Sequence, residues 1–177
     1  MLIYAIRHGQ TDINLEEKIN GLNDHDINEE GIRQAVRARD EIEELELDEI
    51  ICSPLLRTRH TADIVNANDL PISYDERIQE RDAGIFTCED ISSLEEDKWW
   101  SVDDVEEYID AETVRNMMGR IYEFLDEIKI KYKDKNILLV THAGAMKVIH
   151  TYFYGIPENR NLKDIKFANC EIVKFEI

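Results

Sequence analysis

The chain has 177 residues, a length typical of one compact domain, and its 43% hydrophobic and 34% charged residues are typical of a globular protein. Its formal net charge of −18 argues against binding to nucleic acid or anionic membranes, because both need Lys and Arg to neutralise phosphates. No apolar run approaches the roughly 20 residues that cross a bilayer, and "MLIYAIRHG" resembles a first strand rather than a signal peptide. We therefore expect a cytoplasmic protein.

Cysteine and histidine spacing indicates neither a disulfide framework nor a metal site. Cys52, Cys88 and Cys170 lie far apart without a C-x-x-C pair, and the five histidines form no H-x-x-x-H pair. We expect reduced, mostly buried thiols and no metal or other cofactor.

Short apolar runs that favour strands alternate with segments of helical spacing. In chain order the predicted elements are a strand at 2–6, a helix from the N-cap Asn28 to about Leu45, a strand at 49–53, a helix from Leu55 to about Val65, a strand at 70–75, a helix along the apolar stripe Val114 to Ile128, a strand at 136–142, a helix from Ala143 to Tyr154 ending at Gly155, and an alternating terminal strand. Ile32, Ala35, Val36, Arg39, Ile42 and Leu45 follow at helical spacing, and we expect them to share one helix face with the charges turned outward. The alternation predicts an α/β fold, a three-layer α/β/α sandwich with a mostly parallel central sheet.

Polar residues follow the predicted strands where each strand ends. In parallel sheets, ligands bind beyond the carboxyl ends of the strands. The residues collected at that edge are Arg7, His8, Gly9, Gln10 and Thr11 after the first strand, Ser53, Pro54 and Arg57 after the second, and His142, Ala143 and Gly144 after the fourth. Each could have an ordinary structural role by itself, but their shared placement favours a site.

The residue types at this edge suit phosphoryl transfer. Guanidinium groups at Arg7 and Arg57 bind phosphate oxygens bidentately, and the helix after His142 begins with free backbone N–H groups. A neutral imidazole among them can attack phosphorus and form a phosphohistidine. A general acid must then protonate the leaving oxygen, and Glu80, which follows the third strand, is the best candidate.

Four motifs, "RHGQTDIN", "SPLLRTRHTA", "ERDAG" and "VTHAGAM", in this order resemble the histidine phosphatase superfamily, the phosphoglycerate-mutase-like group. The resemblance implies a mixed sheet between helices and a reaction without a metal.

It also implies the roles of individual residues. By the resemblance, His8 is the nucleophile that becomes phosphorylated, and Arg7 and Arg57 bind the phosphoryl group. His142 donates a hydrogen bond to the phosphoryl group, and Glu80 gives a proton to the leaving oxygen. Further predicted substrate-binding residues are Thr11, Asn14, Ala143 and Arg81.

Two segments depart from the family's usual pattern. Ala143 and Gly144 stand where the family commonly has two glycines, which leaves the backbone N–H donors in place. The resemblance implies one domain over 1–177 with a variable cap over the pocket at about 82–112, which here is short and acidic, with twelve carboxylates and only Lys98 as a base. The cap's Trp99 and Trp100 could form a substrate wall, although aromatic pairs in a lid more often pack it down.

Three functions fit these residues. The first is a phosphomonoester hydrolase that acts on a small phosphorylated metabolite through phosphohistidine. The second is a cofactor-dependent phosphoglycerate mutase with the same intermediate. The third, a non-catalytic phospho-ligand sensor, is disfavoured because nucleophile, arginines and acid are all present. A homodimer is a candidate assembly.

The balance of charge near the pocket separates the two enzymes. Arg81 and Arg115 could hold the second anionic group that a mutase substrate carries, but the cap's twelve carboxylates oppose it. We therefore expect hydrolysis of monophosphates whose remaining part is neutral or weakly anionic.

Overall fold

The computed structural model describes residues 1–103 and 105–176. Its strands and α-helices are β1 (Leu2–Arg7), α1 (Asp12–Leu15), α2 (Glu29–Glu43), β2 (Glu49–Cys52), α3 (Leu56–Val65), β3 (Ile72–Tyr74), α4 (Glu96–Trp99), α5 (Val114–Lys131), β4 (Ile137–Thr141), α6 (Ala143–Tyr154) and β5 (Ile172–Glu176). Every predicted strand and helix is present, with ends that shift by a few residues. The sequence pattern missed the two four-residue helices α1 and α4, which are too short to show a helical period.

The strands form one sheet in the order β3-β2-β4-β1-β5. The first four are parallel to their neighbours, whereas β5 runs antiparallel to β1, with Leu2 opposite Glu176. All five residues of the central strand β4 are buried, as an apolar run with both faces covered requires. The prediction of a mostly parallel sheet is confirmed.

Two apolar cores lie on opposite faces of the sheet. Alternate residues of β4 divide between them: Leu139 packs with α5 and α6, and Leu138 and Val140 pack with α2 and α3. The predicted three-layer α/β/α sandwich is confirmed.

The buried face of α2 differs from the prediction. Ile32 and Val36 are 36% and 51% exposed, and the buried residues are Gly31, Ala35, Ala38 and Ile42. Ile32 and Val36 each follow a buried residue by one position, which turns them about 100° around the helix. The small side chains of the buried stripe let α2 lie close to the sheet.

The ends of two predicted helices have the expected caps. Asn28 Oδ1 accepts a hydrogen bond from the Gly31 N–H (2.9 Å) at the start of α2. Gly155 ends α6 with a φ of +86°, a conformation that glycine adopts without strain.

The cap segment has an apolar cluster of its own. Ala83, Trp99, Tyr108 and Ala111 are buried together, and short 3₁₀ helices connect them. Two backbone hydrogen bonds join the cap to the segment after α6: Val102 N–H to Arg160 O (2.9 Å) and Leu162 N–H to Trp100 O (3.0 Å). The division into one domain with a cap stays a prediction.

The three cysteines are free thiols. Cys52 is buried and Cys170 is partly buried, but Cys88 is exposed, so the expectation of mostly buried thiols is wrong for that residue. Cys88 lies in the cap, whose thin apolar cluster does not cover it. Among the described residues, none of the helices has the length and apolar character needed to cross a membrane.

Candidate active site

β1 carries the chain to the carboxyl edge of the sheet and places His8 there. The His8 N–H donates to Thr141 O (2.9 Å), which extends the β1–β4 ladder by one residue. His8 is 2% exposed. Gly9 follows because the backbone there meets the start of α2: a Cβ on Gly9 would lie 2.5 Å from the carbonyl oxygen of Gly31. The glycine therefore allows the contact that fixes the His8 loop.

The His8 ring is held in one tautomer. Its Nδ1 lies 2.7 Å from Gly9 O, and since a carbonyl only accepts, Nδ1 carries the proton and Nε2 keeps the lone pair. Burial, with the charges of Arg57 and Arg7 nearby, holds the pKa of His8 well below its usual value. His8 is thus a neutral imidazole with a free nucleophilic nitrogen.

Arg7 presents an unused donor beside this ring. Its Nη1 donates to Phe167 O (2.8 Å), while its buried Nε has no partner among the described residues. Burial lowers the pKa of the guanidinium. A buried donor without an acceptor is costly, and an anionic oxygen in the adjacent cavity would satisfy it.

Arg57 is fully buried beneath the two histidines. Its Nε donates to His142 Nδ1 (3.2 Å), Nη1 to Asn23 O (2.6 Å) and Nη2 to Gly21 O (2.9 Å). Burial lowers its pKa to about 10, so it stays charged at neutral pH. The structure places this charge beside the nucleophile; direct contact with a phosphoryl group stays a prediction.

His142 uses both ring nitrogens within the protein. Nδ1 accepts from Arg57, so Nε2 carries the proton and donates to Ser53 Oγ at 2.7 Å. Burial and the Arg57 charge hold its pKa well below the usual value. Its ring centroid lies 5.2 Å from that of His8. To donate a hydrogen bond to a phosphoryl group, the Nε2–H would have to give up its hydrogen bond to Ser53 Oγ. That donation stays a prediction.

Two backbone donors orient the carboxylate of Glu80. The N–H of Arg81 donates to Oε1 (2.9 Å) and the N–H of Gly144, in the first turn of α6, donates to Oε2 (3.2 Å). The structure thus brings Glu80 to the same cavity as Arg7 and His8.

Three predicted substrate-binding residues have different positions. Thr11 and Asn14 form a capping box at the start of α1, with bonds of 3.1 and 3.2 Å. Asn14 and Ala143 line the cavity, whereas Thr11 is fully buried behind it. Thr11 therefore supports Asn14 in this structure.

Arg81 holds the cap. Its Nε donates to Glu112 O (2.6 Å), its Nη1 donates to Trp99 O, and its guanidinium lies 4.0 Å from the centroid of the Trp99 ring. It also borders the cavity. Its contact with substrate stays a prediction.

The cavity has a volume of about 400 Å³. Trp99 and Trp100 both form part of its wall, and Trp99 also packs in the cap cluster. The packing role is thus present for Trp99, and contact of the tryptophans with substrate stays a prediction. The other lining residues are Lys18, Ile19, Asn20, Gly21, Ile91, Leu94, Glu96, Lys147, Lys163, Lys166 and Phe167.

Sequence reasoning missed the lysines at 147, 163 and 166. None of them directly follows a strand, so the pattern of polar residues at strand ends does not predict them. The spacing of Lys163 and Lys166 in "LKDIKF" is a signal that could have been noticed, because the chain has 21 basic and 39 acidic residues. Within the described residues, no group of three or more His, Cys, Asp or Glu side chains could hold a metal ion.

A buried neutral histidine with two arginines and a carboxylate, at the carboxyl edge of a mixed sheet, defines a phosphoryl-transfer type of site. Residues 3–177 match the model of the histidine phosphatase superfamily (branch 1), and the chain belongs to that family.

Relatives of known sequence or structure are similar over most of their length. The chain is 29% identical over 181 residues to "Probable phosphoglycerate mutase GpmB" of Escherichia coli O1:K1, which covers 98% of this chain and 84% of the relative. Its fold matches Bacillus stearothermophilus YhfR with a TM-score of 0.86 and 25% identity, over 99% of this chain and 91% of the other. It also matches a mutant phosphoserine phosphatase from Entamoeba histolytica in complex with phosphoserine, with a TM-score of 0.87 and 24% identity, over 99% and 90% of the two chains.

Proposed function

We propose that the protein is a phosphomonoester hydrolase that forms a covalent phosphohistidine at Nε2 of His8. The observation that carries the proposal is the bond between His8 Nδ1 and Gly9 O, which leaves Nε2 unprotonated in a residue that lines the same cavity as Arg7, whose Nε has no partner among the described residues. Membership of the histidine phosphatase superfamily supports the same chemistry.

The reaction has two balanced steps. In the first, the Nε2 lone pair forms a bond to phosphorus, the bond to the leaving oxygen breaks, and the Glu80 carboxyl gives its proton to that oxygen. In the second, Glu80 takes a proton from water, whose oxygen attacks phosphorus while the N–P bond breaks. Inorganic phosphate leaves and His8 returns to its neutral form.

Phosphoglycerate mutase activity is a second candidate, since relatives at 29% identity carry that name. The two activities share the phosphohistidine and differ in whether water or a second substrate oxygen receives the phosphoryl group. Supplying 3-phosphoglycerate with catalytic 2,3-bisphosphoglycerate separates them: a hydrolase releases phosphate, and a mutase forms 2-phosphoglycerate instead.

The cavity of about 400 Å³ supports a small phosphorylated metabolite as substrate. The net charge of −18 supports the proposal that neither nucleic acid nor membranes are partners. The cytoplasmic location stays a prediction. A homodimer, which light scattering would test, stays a prediction.

Trapping the intermediate tests the proposed function. Brief reaction with p-nitrophenyl phosphate, quenched at alkaline pH, should add one acid-labile phosphoryl group to the peptide that contains His8. His8→Asn should lose both the label and turnover. His25→Asn, at an exposed histidine, is the matched control and should keep both. Full turnover by His8→Asn would contradict the mechanism.

A further inference from the structure

The charged residues that line the cavity have the opposite balance to the whole chain. The chain has 21 basic and 39 acidic residues. The charged side chains around the cavity, by contrast, are Arg7, Lys18, Arg81, Lys147, Lys163 and Lys166 against Glu80 and Glu96. One phosphoryl group carries about two negative charges, and the proposed function assigns Arg7 and Arg57 to them. The lysines therefore provide positive charge beyond what the reacting phosphoryl group needs.

The lysines differ in how far their charge is compensated. Lys18 pairs with Glu16 (2.7 Å) and Lys163 with Asp97 (2.5 Å). Lys166 is exposed and has no ion pair or hydrogen bond among the described side chains. Lys166 is therefore the cation at the cavity whose charge is most available to a ligand.

The segment that carries Lys163 and Lys166 is fixed to the catalytic residues. Lys147, which is 7% exposed, donates to Leu162 O (2.9 Å), Lys163 O (3.2 Å) and Ile165 O. At the other end of the segment, Arg7 Nη1 donates to Phe167 O (2.8 Å). Two largely buried cations thus brace the backbone of the segment, so the part of the chain that carries the lysines has a fixed position at the cavity.

The cap does not oppose these charges in the way its sequence suggests. Five of its described carboxylates pair with cations: Glu95 and Glu107 with Lys98, Asp103 with Arg160, Glu112 with Arg120, and Asp97 with Lys163 of the cavity itself. Among the described side chains, Glu96 is the one cap carboxylate that lines the cavity. The cap therefore opposes a second anionic group less than its twelve carboxylates suggest, which weakens the reason for expecting a neutral substrate.

We infer that Lys166, supported by Lys163, forms a second anion-binding subsite of this cavity, so that the preferred substrates are small phosphomonoesters whose far end carries a carboxylate or a second phosphate. The apolar side chains of Ile19, Leu94 and Trp100 line the same cavity, and they suit the short carbon spacer between the two groups. The inference rests on the proposed function and adds the substrate class to it.

Substrates with matched three-carbon spacers test the subsite. We compare glycerol 1-phosphate, 3-phosphoglycerate and propane-1,3-diol bisphosphate by phosphate release at low salt. The two acidic substrates should have kcat/KM values about tenfold above that of glycerol 1-phosphate, mostly through KM, and the preference should shrink as salt screens the charges. The ratio between the two acidic substrates then shows whether carboxylate or phosphate fits better. Equal values for all three would overturn the inference.

Removing the charge of Lys166 tests the subsite independently of the choice of substrate. Lys166→Gln should lower the preference for acidic over neutral substrate about fivefold, and Lys163→Gln combined with it should lower it further. Lys133→Gln removes an exposed lysine on another face of the chain and should leave the preference unchanged. An equal fall for both substrate types would contradict the subsite. If no substrate is hydrolysed and His8 is never labelled, the proposed function fails as well, whereas hydrolysis without preference removes the subsite alone.

Discussion

Gly144 shows how closely single residues fit together around the general acid. Its N–H binds the Glu80 carboxylate, and a Cβ in its place would lie 2.2 Å from Glu80 Oε1 and 2.9 Å from Trp100 Cη2. Neither distance is compatible with ordinary contact. A side chain at this position must therefore displace the carboxylate, the indole or both.

Gly144→Ala should lower kcat by about tenfold for substrates with poor leaving groups, because the displaced Glu80 delivers its proton less well. The loss should be smaller for p-nitrophenyl phosphate, whose leaving oxygen needs less help. Steady-state rates with the two substrate types measure this difference. The matched control is Gly119→Ala on α5, where a Cβ meets nothing within 4 Å. An unchanged leaving-group dependence in Gly144→Ala would show that Glu80 does not protonate the leaving oxygen.

At the level of secondary-structure elements, α5 connects the end of the cap to the loop that carries Glu80. Arg120 of α5 binds the Glu112 carboxylate through Nε (2.6 Å) and Nη2 (2.7 Å). The same guanidinium donates to the carbonyls of Arg77 (2.6 Å), Gln79 (3.0 Å) and Glu80 (3.1 Å). Arg120 is thus a positioning residue for the general acid.

Arg120→Met should cost about 2 kcal/mol of unfolding free energy, between the values for exposed and for fully buried pairs. It should also lower kcat more for poor leaving groups than for good ones, since the Glu80 loop loses its anchor. Arg120→Lys should recover only part of either property, because Lys lacks the planar fork. Urea unfolding and kinetics measure both.

Arg33→Met is the control for that experiment. Arg33 pairs with Glu30 on the exposed surface of α2 (2.8 Å) and should change stability by less than about 1 kcal/mol. Equal stability of Arg120→Met and Arg33→Met would refute the role of α5.

The whole molecule carries two buried neutral histidines, and folding is therefore linked to pH. The pKa values of His8 and His142 are well below the usual 6.5 in the folded state. Below pH about 6.5, the unfolded chain binds protons that the folded chain does not. The contribution of each histidine to stability is thus present above that pH and is lost as the pH falls toward its folded-state pKa.

Replacing one of these histidines should flatten the pH dependence of stability. Between pH 6 and pH 5, the unfolding free energy of the wild type should fall relative to that of His8→Gln by up to about 1.4 kcal/mol per pH unit. Urea unfolding curves at several pH values measure the difference. Parallel pH profiles would mean that His8 is protonated equally in the folded and unfolded chains.

Sequence patterns predict those parts of the fold and site that depend on residues close together in the chain. Apolar runs locate the strands, and the polar residues after them, such as His8, collect at one edge because parallel strands end together. The braced segment at Lys163 has no such signal, since its position depends on Lys147 and on backbone contacts with the cap. The direction of Arg57 toward Asn23 O also depends on tertiary packing, which no local pattern records.

The strands that pair with β1 determine when, during synthesis, His8 can reach its folded environment. Both strands that flank β1, β4 (Ile137–Thr141) and β5 (Ile172–Glu176), lie far after it in the chain and are therefore synthesised much later. Until β4 has been synthesised, β1 has neither of its partners, whereas β2 and β3 are neighbours in the sheet and already have each other. His8 therefore stays outside its folded environment until then, and the reactive imidazole becomes buried and neutral only after β4 has emerged.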